Sequence, residues 1–531
     1  MYKGMLKNKK FRLAPLLGAV AIVFLVLWGC GGGTSSYDNP KAEYLSGNAE
    51  SSLIDVDTLR RWDANEGVLD DGLYKTDKGE RVVLIDATDT KDSMVKYYLG
   101  VGHLPGALVN LAHENGEAMI RNDGPIAEDH DVADGPSMDK LMRSLGITKD
   151  AVVVITTSKI DMKATRTDPA NVLYDFCASR LLWTMKYWGF SSAKVKILNG
   201  FNGAWKAAGY PLVKTNTPAV TPSTFSVREL PGVNASIRYS IGQMIRLVDS
   251  GKANKLAGDV IILDTRQPLA GFTEDSAAQA VTSTGGSAFD GIVRGAVTIK
   301  PTDPISNWNI IQEVKAADGT NLGIKWRTKA ELKAAFDAVG IKGDKPIIVY
   351  CNSGSSTTRY WYPLAEILGY NVSVFDASMQ MWQTMSAFQP GDLTYVRYDS
   401  TSANYANSKF FYWDPTQKQF IDNATKLPVA AGAIKSGGNM RGDTTWDTVT
   451  RSERVTFRPT STVNSAATFQ TYNALGSAGV ANVDQDWRPV VVDPLYRGTG
   501  SQTLTDDVNY YNGTSSSGAP VGGGGNTGGG C

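Results

Sequence analysis

The sequence predicts an α/β fold: two successive domains, each a parallel β-sheet flanked by helices, followed by a polar extension of irregular and β character. Three observations predict it. The chain has 531 residues, more than one domain of about 150 residues accounts for. Its hydrophobic fraction of 42% can fill sizeable cores and excludes a wholly disordered chain. Near-continuous Val- and Ile-rich runs alternate with helical stretches in one order that occurs twice, the pattern of parallel strands covered on both faces.

The first occurrence opens with the strand Val82–Asp86 and the turn Gly102-His103-Leu104-Pro105-Gly106-Ala107. The strand Val152–Ile155, a helix from Ala178 to Tyr187 and the strand Val195–Leu198 follow, and the segment closes on Asn199-Gly200-Phe201 and Trp205. The second occurrence runs Val260–Asp264, Gly291–Ala296 and Ile347–Tyr350. A helix then places Trp361, Leu364 and Leu368 at i, i+3 and i+7, and Val372–Asp376 with Trp382 ends the segment. Such spacing is duplication of a whole domain and not a solenoid. The domains are expected at residues 75–215 and 235–390, joined through a stretch rich in Pro, Thr and Ser. Residues 391–511 form the polar extension, and 512–531 a glycine and serine tail expected to be disordered.

Charge and residue counts narrow the function. Lys+Arg 53 balances Asp+Glu 53, which argues against a nucleic-acid binder working by bulk positive potential. Three histidines and the cysteines Cys30, Cys177, Cys351 and Cys531 are too few and too scattered for a haem array, an iron–sulfur centre or an all-cysteine zinc site. No metal and no cofactor are expected. One long apolar run excludes a multi-span membrane protein.

That run lies at the amino end. Lys3, Lys7, Lys9, Lys10 and Arg12 precede the uncharged stretch Leu13–Gly29, which reads as the apolar core of a secretory signal. It ends in Leu27-Trp28-Gly29-Cys30, which resembles a bacterial lipobox with Cys30 as the lipidated residue of residues 1–30. Gly31 after Cys30, in place of an aspartate, resembles a lipoprotein sent to the outer membrane. An uncleaved membrane anchor is the alternative, and either reading places the rest of the chain outside the cytoplasm. Residues 31–74 are expected as a tether.

The chemistry is expected at Cys351. It follows the strand Ile347–Tyr350 and opens Cys351-Asn352-Ser353-Gly354-Ser355-Ser356-Thr357-Thr358-Arg359. Small residues between a strand end and a helix start let consecutive backbone N–H groups converge, forming a nest that favours a thiolate over a thiol. The carboxyl ends of parallel strands are also where open sheets place ligands. A small thiol buried under a turn is the bland alternative. His103 is expected to hydrogen-bond backbone, Cys177 to be buried and inert, and Cys531 has no assigned role.

Together these motifs resemble the tandem-domain rhodanese family, the thiosulfate and mercaptopyruvate sulfurtransferases. The first half contributes Ile85-Asp86-Ala87, Gly102–Ala107 and Phe176–Trp183; the second contributes Asp264-Thr265-Arg266, Gly291–Ala296, the Cys351 loop and Phe375-Asp376-Ala377-Ser378 with Trp382. The resemblance implies two rhodanese-like domains, the first inactive. It also implies a double displacement in which Cys351 takes sulfur from a small anionic donor and passes the persulfide sulfur to an acceptor. Backbone amides over Asn352, Ser353, Gly354, Ser355 and Ser356 would hold the leaving anion. Arg266 would contact the substrate anion, or alternatively pair with Asp264 to fix the turn.

The loop departs from the thiosulfate-preferring type, which carries Arg or Lys where Asn352 and Ser353 stand. Ser353-Gly354 is nearer the mercaptopyruvate type, yet Ala133 occupies an expected histidine position near His130, and Ile292 stands where His is frequent. Donors of both kinds therefore remain open. Rhodanese-like phosphatases place Arg six positions after the cysteine; that position is Thr357, which argues against phosphatase chemistry. A non-catalytic accessory lipoprotein, partnering an outer-membrane redox or oxyanion-handling complex, is the second reading.

Overall fold

The computed structural model describes residues 51–63, 74–88, 91–111, 126–127, 132–159, 176–240, 243–244, 247–248, 250–266, 292–300, 302–351, 354–379, 411–414, 419–422, 425–428, 434–435, 455–456 and 502–514. Cys30, Cys531, His130, Asn352, Ser353 and the expected signal segment lie outside the described residues. Among the described residues no helix is long and apolar enough to cross a membrane.

In chain order the first half contains β1 (Leu53–Ile54), α1 (Val56–Trp62), β2 (Tyr74–Lys75), β3 (Arg81–Thr88), β4 (Leu108–Leu111), α2 (Gly135–Ser144), β5 (Val152–Thr156), α3 (Phe176–Tyr187), β6 (Val195–Leu198) and α4 (Phe201–Ala207). The strands form one sheet in the order β1-β6-β5-β3-β2, with β4 also paired to β3. All pairings are parallel except β2 with β3. Every residue of β5 is buried, which explains its unbroken apolar run: both faces are covered. All twelve residues of α3 are buried, its polar side chains included.

This half begins earlier than residue 75. Leu53 and Ile54 pair in parallel with Ile197 and Leu198, and Asp55 caps α1 by accepting the Thr58 N–H at 2.8 Å. Residues 51–63 therefore belong to the first sheet and its covering layer, and the expected tether over 31–74 is corrected there.

The second half contains β7 (Ile261–Asp264), β8 (Val297–Thr298), β9 (Ile311–Lys315), β10 (Asn321–Trp326), α5 (Lys329–Ala338), β11 (Ile347–Tyr350), α6 (Thr358–Tyr362) and β12 (Val372–Val374). Its main sheet has the order β8-β7-β11-β12, all parallel. The register repeats that of the first half. Asp86 pairs with Thr156 and Val109, as Asp264 pairs with Tyr350 and Thr298. Ile155 pairs with Ile197, as Val349 pairs with Val374.

The expected two domains differ from the structure in one respect. One continuous hydrophobic cluster runs through both sheets, from Val83 and Ile155 to Val349 and Val374. The halves meet through α3 and α6, where the Ser179 and Thr358 hydroxyls are hydrogen-bonded at 2.9 Å. The hairpin β9–β10 also lies against α4, so closely that a Cβ on Gly203 would stand 2.1 Å from the Leu322 carbonyl oxygen.

Beyond residue 391, the antiparallel pair Phe411–Asp414 with Gln419–Asp422 is the expected β character. The helix α7 (Gln502–Tyr511) is not expected from the sequence. It returns to the first half: Tyr187 Oη donates to Asp507 at 2.7 Å, Tyr510 Oη donates to Asp139 at 2.6 Å, and the Arg228 guanidinium lies 4.1 Å from the Tyr510 ring centre. Residues 512–514 continue this ordered end, with the Asn512 N–H bonded to the Val508 carbonyl, so the expected tail is corrected at its start.

Candidate active site

Cys351 stands immediately after β11, and its backbone is held on both sides. The preceding carbonyl, of Tyr350, accepts from the Thr265 N–H at 2.9 Å and the Thr265 hydroxyl at 2.8 Å. The Cys351 N–H donates to Ser378 Oγ at 3.1 Å, and its carbonyl accepts from the Met379 N–H at 3.1 Å. Ser378 Oγ in turn donates to the Phe375 carbonyl at 2.8 Å. Ser378 has φ 49, a left-handed conformation that costs a non-glycine residue energy and is retained where surrounding bonds over-determine it.

The loop then turns back over the sulfur. The Gly354 N–H donates to Cys351 Sγ at 3.1 Å, the contact expected of an amide nest. Gly354 has φ +88, and a Cβ there would stand 1.9 Å from the Asp376 carbonyl oxygen, so the turn requires glycine. The Gly354 carbonyl accepts from Arg180 Nη1 at 3.0 Å, a bond from α3 in the other half. Asp376 ties the same place together, since its Oδ2 accepts from Arg238 Nε at 2.7 Å and from the Val132 N–H at 3.0 Å.

Of the other loop residues, Ser355 is fully buried with its hydroxyl unpartnered among the described residues, as is Thr357. Ser356 is half-buried. The Thr358 hydroxyl donates to the Ser355 carbonyl at 2.7 Å, anchoring the loop to the start of α6. Cys351 itself is 1% exposed. It therefore forms the floor of the loop and not an open mouth, because Gly354 is pressed onto Asp376 on one side and bonded to α3 on the other.

Arg266 takes the second of the two roles left open for it. Its Nε contacts Asp264 Oδ1 at 2.9 Å and its Nη2 contacts Oδ2 at 2.5 Å, a bidentate ion pair. Tyr350 Oη donates to the same carboxylate at 2.7 Å and accepts from the Val293 N–H at 3.1 Å. Burial alone would lower the pKa of Arg266, but Asp264 foremost, then Tyr350 and Cys351, hold it raised. The expectation of a substrate contact is thus corrected: this guanidinium is a fixed buried cation, paired with Asp264 and within electrostatic reach of Cys351.

Among the described residues, the first half carries different side chains at the equivalent positions. The repeated register sets Thr157 at the place of Cys351 and Thr88 at the place of Arg266. Asp86, the counterpart of Asp264, is surrounded by donors instead: the Ser158 N–H at 2.9 Å, the Ser158 and Thr88 hydroxyls at 3.1 and 3.0 Å, and Asn202 Nδ2 at 3.1 Å. Burial nevertheless raises its pKa. The counterpart of Ser378 is Phe201, also left-handed at φ 51. His103 is a packing residue, with Nδ1 3.0 Å from the Tyr98 carbonyl and its ring stacked 3.6 Å from that of Tyr98. Cys177 and Cys351 are both buried and form no disulfide with each other.

Sequence reasoning missed Ser378, Asp376 and Arg180 as members of the site. All three lie in stretches singled out as motifs, yet nothing local says that they meet the loop.

Similarity to known proteins covers the second half most directly. Residues 248–385 match the model of the rhodanese-like domain. The chain is 25% identical over 292 residues to the sulfur carrier protein TtuD of Thermus thermophilus, covering 53% of this chain and 82% of that one. It is 26% identical over 292 residues to a thiosulfate sulfurtransferase of Corynebacterium glutamicum, covering 54% and 78%. A solved anaerobic ergothioneine biosynthesis enzyme from Chlorobium limicola aligns at 17% identity and TM-score 0.42, over 62% of this chain and 68% of that one.

Proposed function

Because the chain is a member of the rhodanese family through its domain at residues 248–385, we propose that it is a sulfurtransferase carrying sulfur as a persulfide on Cys351. The observation that carries this reading is the Gly354 N–H directed at Cys351 Sγ at 3.1 Å. An amide aimed at sulfur stabilises negative charge there without reorganising when the charge develops. Buried Arg266 adds a positive charge within reach, partly balanced by Asp264.

In the reaction the Cys351 thiolate attacks the outer sulfur of a donor such as thiosulfate. A new S–S bond forms on Cys351, the donor S–S bond breaks, and its electron pair leaves on sulfite. A thiolate or cyanide then attacks the terminal sulfur, and the electron pair of the broken bond returns to Cys351. Mercaptopyruvate is the alternative donor. The neutral small side chains of the loop leave charge recognition to backbone amides. Thr157 in the counterpart position supports a first half without this chemistry. Full-length protein incubated with thiosulfate or mercaptopyruvate gains one sulfur atom on the Cys351 peptide by mass spectrometry, and Cys351→Ser gains none. A folded chain without that adduct from either donor overturns the reading.

Export and anchoring through a lipid on Cys30, in the outer membrane, belong to the same proposal and rest on the apolar run before Cys30 and on Gly31. Cys30→Ser moving the chain from the membrane to the soluble fraction checks it. The burial of Cys351 favours the second reading, an accessory lipoprotein of an envelope redox or oxyanion-handling complex. Co-purification with such a complex from solubilised membranes, without sulfur on Cys351, would establish that reading.

A further inference from the structure

We propose that Arg180, on a helix of the half that lacks a reactive cysteine, is a positioning residue for the Cys351 loop: it orients the Gly354–Ser355 peptide so that the loop amides face the sulfur. The functional consequence rests on the sulfur-transfer reading; the geometry does not. Arg180 is fully buried. It is steadied by Trp183, whose ring centre lies 4.4 Å from the guanidinium carbon, and its Nη1 donates to the Gly354 carbonyl at 3.0 Å.

Gly354 is flanked by two peptide planes, and both are engaged. The N–H of the first points at Cys351 Sγ at 3.1 Å. The carbonyl of the second is bonded to Arg180. In a planar trans peptide the C=O and N–H vectors point in opposite directions, so drawing the Gly354 carbonyl toward α3 turns the Ser355 N–H the other way, toward the interior of the loop. A glycine at φ +88 offers little resistance to a flip of that plane, and an external hold is what gives the amide one direction. Because the donor is a guanidinium, the bond also polarises the peptide and strengthens its N–H as a donor.

The neighbouring bonds fix α3 against the loop independently of Arg180. The Ser179 hydroxyl meets the Thr358 hydroxyl at 2.9 Å, and the Thr358 hydroxyl donates to the Ser355 carbonyl at 2.7 Å. The first half therefore serves the site as its rigid back wall. To that wall Arg180 adds a cation bonded to the Gly354 carbonyl.

The test compares the full-length chain as wild type, Arg180→Gln and Arg180→Lys, with Cys351→Ser as the blank for other thiols. Two quantities are read: the rate of Cys351 alkylation by iodoacetamide against pH, and kcat and KM for sulfur transfer from thiosulfate to cyanide. Arg180→Gln is expected to move the alkylation profile to higher pH and to lower kcat by about tenfold or more, with KM little changed, as for a lost charge-assisted hydrogen bond. Arg180→Lys keeps the charge without the planar fork and falls between. A folded Gln variant with the wild-type profile and kcat overturns the proposal. A change in KM alone also overturns it, since Arg180 would then be a substrate contact. If the Gln variant does not fold, the Lys variant decides, and wild-type values in it overturn the proposal. The alkylation arm needs no sulfur donor. A profile that depends on Arg180 in a chain that takes no sulfur would refute the sulfur-transfer reading and leave the positioning role standing.

Discussion

Gly354 holds the loop under two separate constraints that substitution can separate. Its left-handed φ of +88 penalises any side chain, and a Cβ would also collide with the Asp376 carbonyl at 1.9 Å. Gly79, at φ +78 in an open turn with nothing within 4 Å, carries only the first constraint. Gly79→Ala is expected to cost about 1 to 2 kcal/mol, the left-handed penalty alone. Gly354→Ala must exceed it, because backbone has to move, and under the proposed sulfur transfer it also removes sulfur loading of Cys351. Urea midpoints and the Cys351 persulfide yield measure both; equal costs at the two glycines would refute the close approach. Cys351 was legible in the sequence because a strand, a cysteine and a run of small residues are contiguous. Arg180 was not, since its partner Gly354 lies 174 residues away and its own helix reads as core.

The long apolar strands declare themselves as elements, but the short ones do not. β5, with Val152-Val153-Val154-Ile155, has enough consecutive β-branched residues to be read directly. β1 is a two-residue strand followed by a seven-residue helix, too short for any periodicity to emerge. α7 hides for another reason: Thr, Asp, Asn and paired Tyr are indifferent helix formers, and docking on the first half supplies what propensity lacks. The cap of α1 can be tested. Hydrogen bonds from Thr58 lower the pKa of Asp55 below 3.8, against an opposing effect of burial. A carboxylate whose folded pKa is depressed contributes stability above its unfolded pKa and loses it as pH falls through the folded value. Asp55→Ala should therefore cost about 1 kcal/mol at neutral pH, and the gap to wild type should shrink below pH 3.8. Urea midpoints at the two pH values check this, with Asp55→Asn as the cap that does not titrate. A gap independent of pH would show that the carboxylate charge is not what holds the cap.

The duplication was legible because both halves repeat one order of strands, whereas the shared core was not, because burial across α3 and α6 depends on how the halves meet. Within that shared interior lies a buried ion pair joining them. Lys186 on α3 stands 3.2 Å from Glu366, which follows α6, with side-chain exposures of 0% and 2%. Ser192 bridges them, accepting from Lys186 Nζ and donating to Glu366 at 3.0 Å. Burial lowers the pKa of Lys186 and Glu366 opposes the shift. A depressed folded pKa contributes stability above the ordinary lysine value of 10.5 and loses it as pH falls through the folded value. Burial thus opposes the charge on Lys186, and Glu366 offsets part of that cost. Lys186→Met alone strands the carboxylate of Glu366 in the interior and should cost about 3 to 5 kcal/mol. Lys186→Met with Glu366→Leu removes both charges and should recover most of that loss or surpass wild type, since well-packed apolar pairs often replace buried ion pairs without penalty. A four-member cycle of urea midpoints at neutral pH decides it. If the two single losses simply add in the double variant, the charges are not coupled.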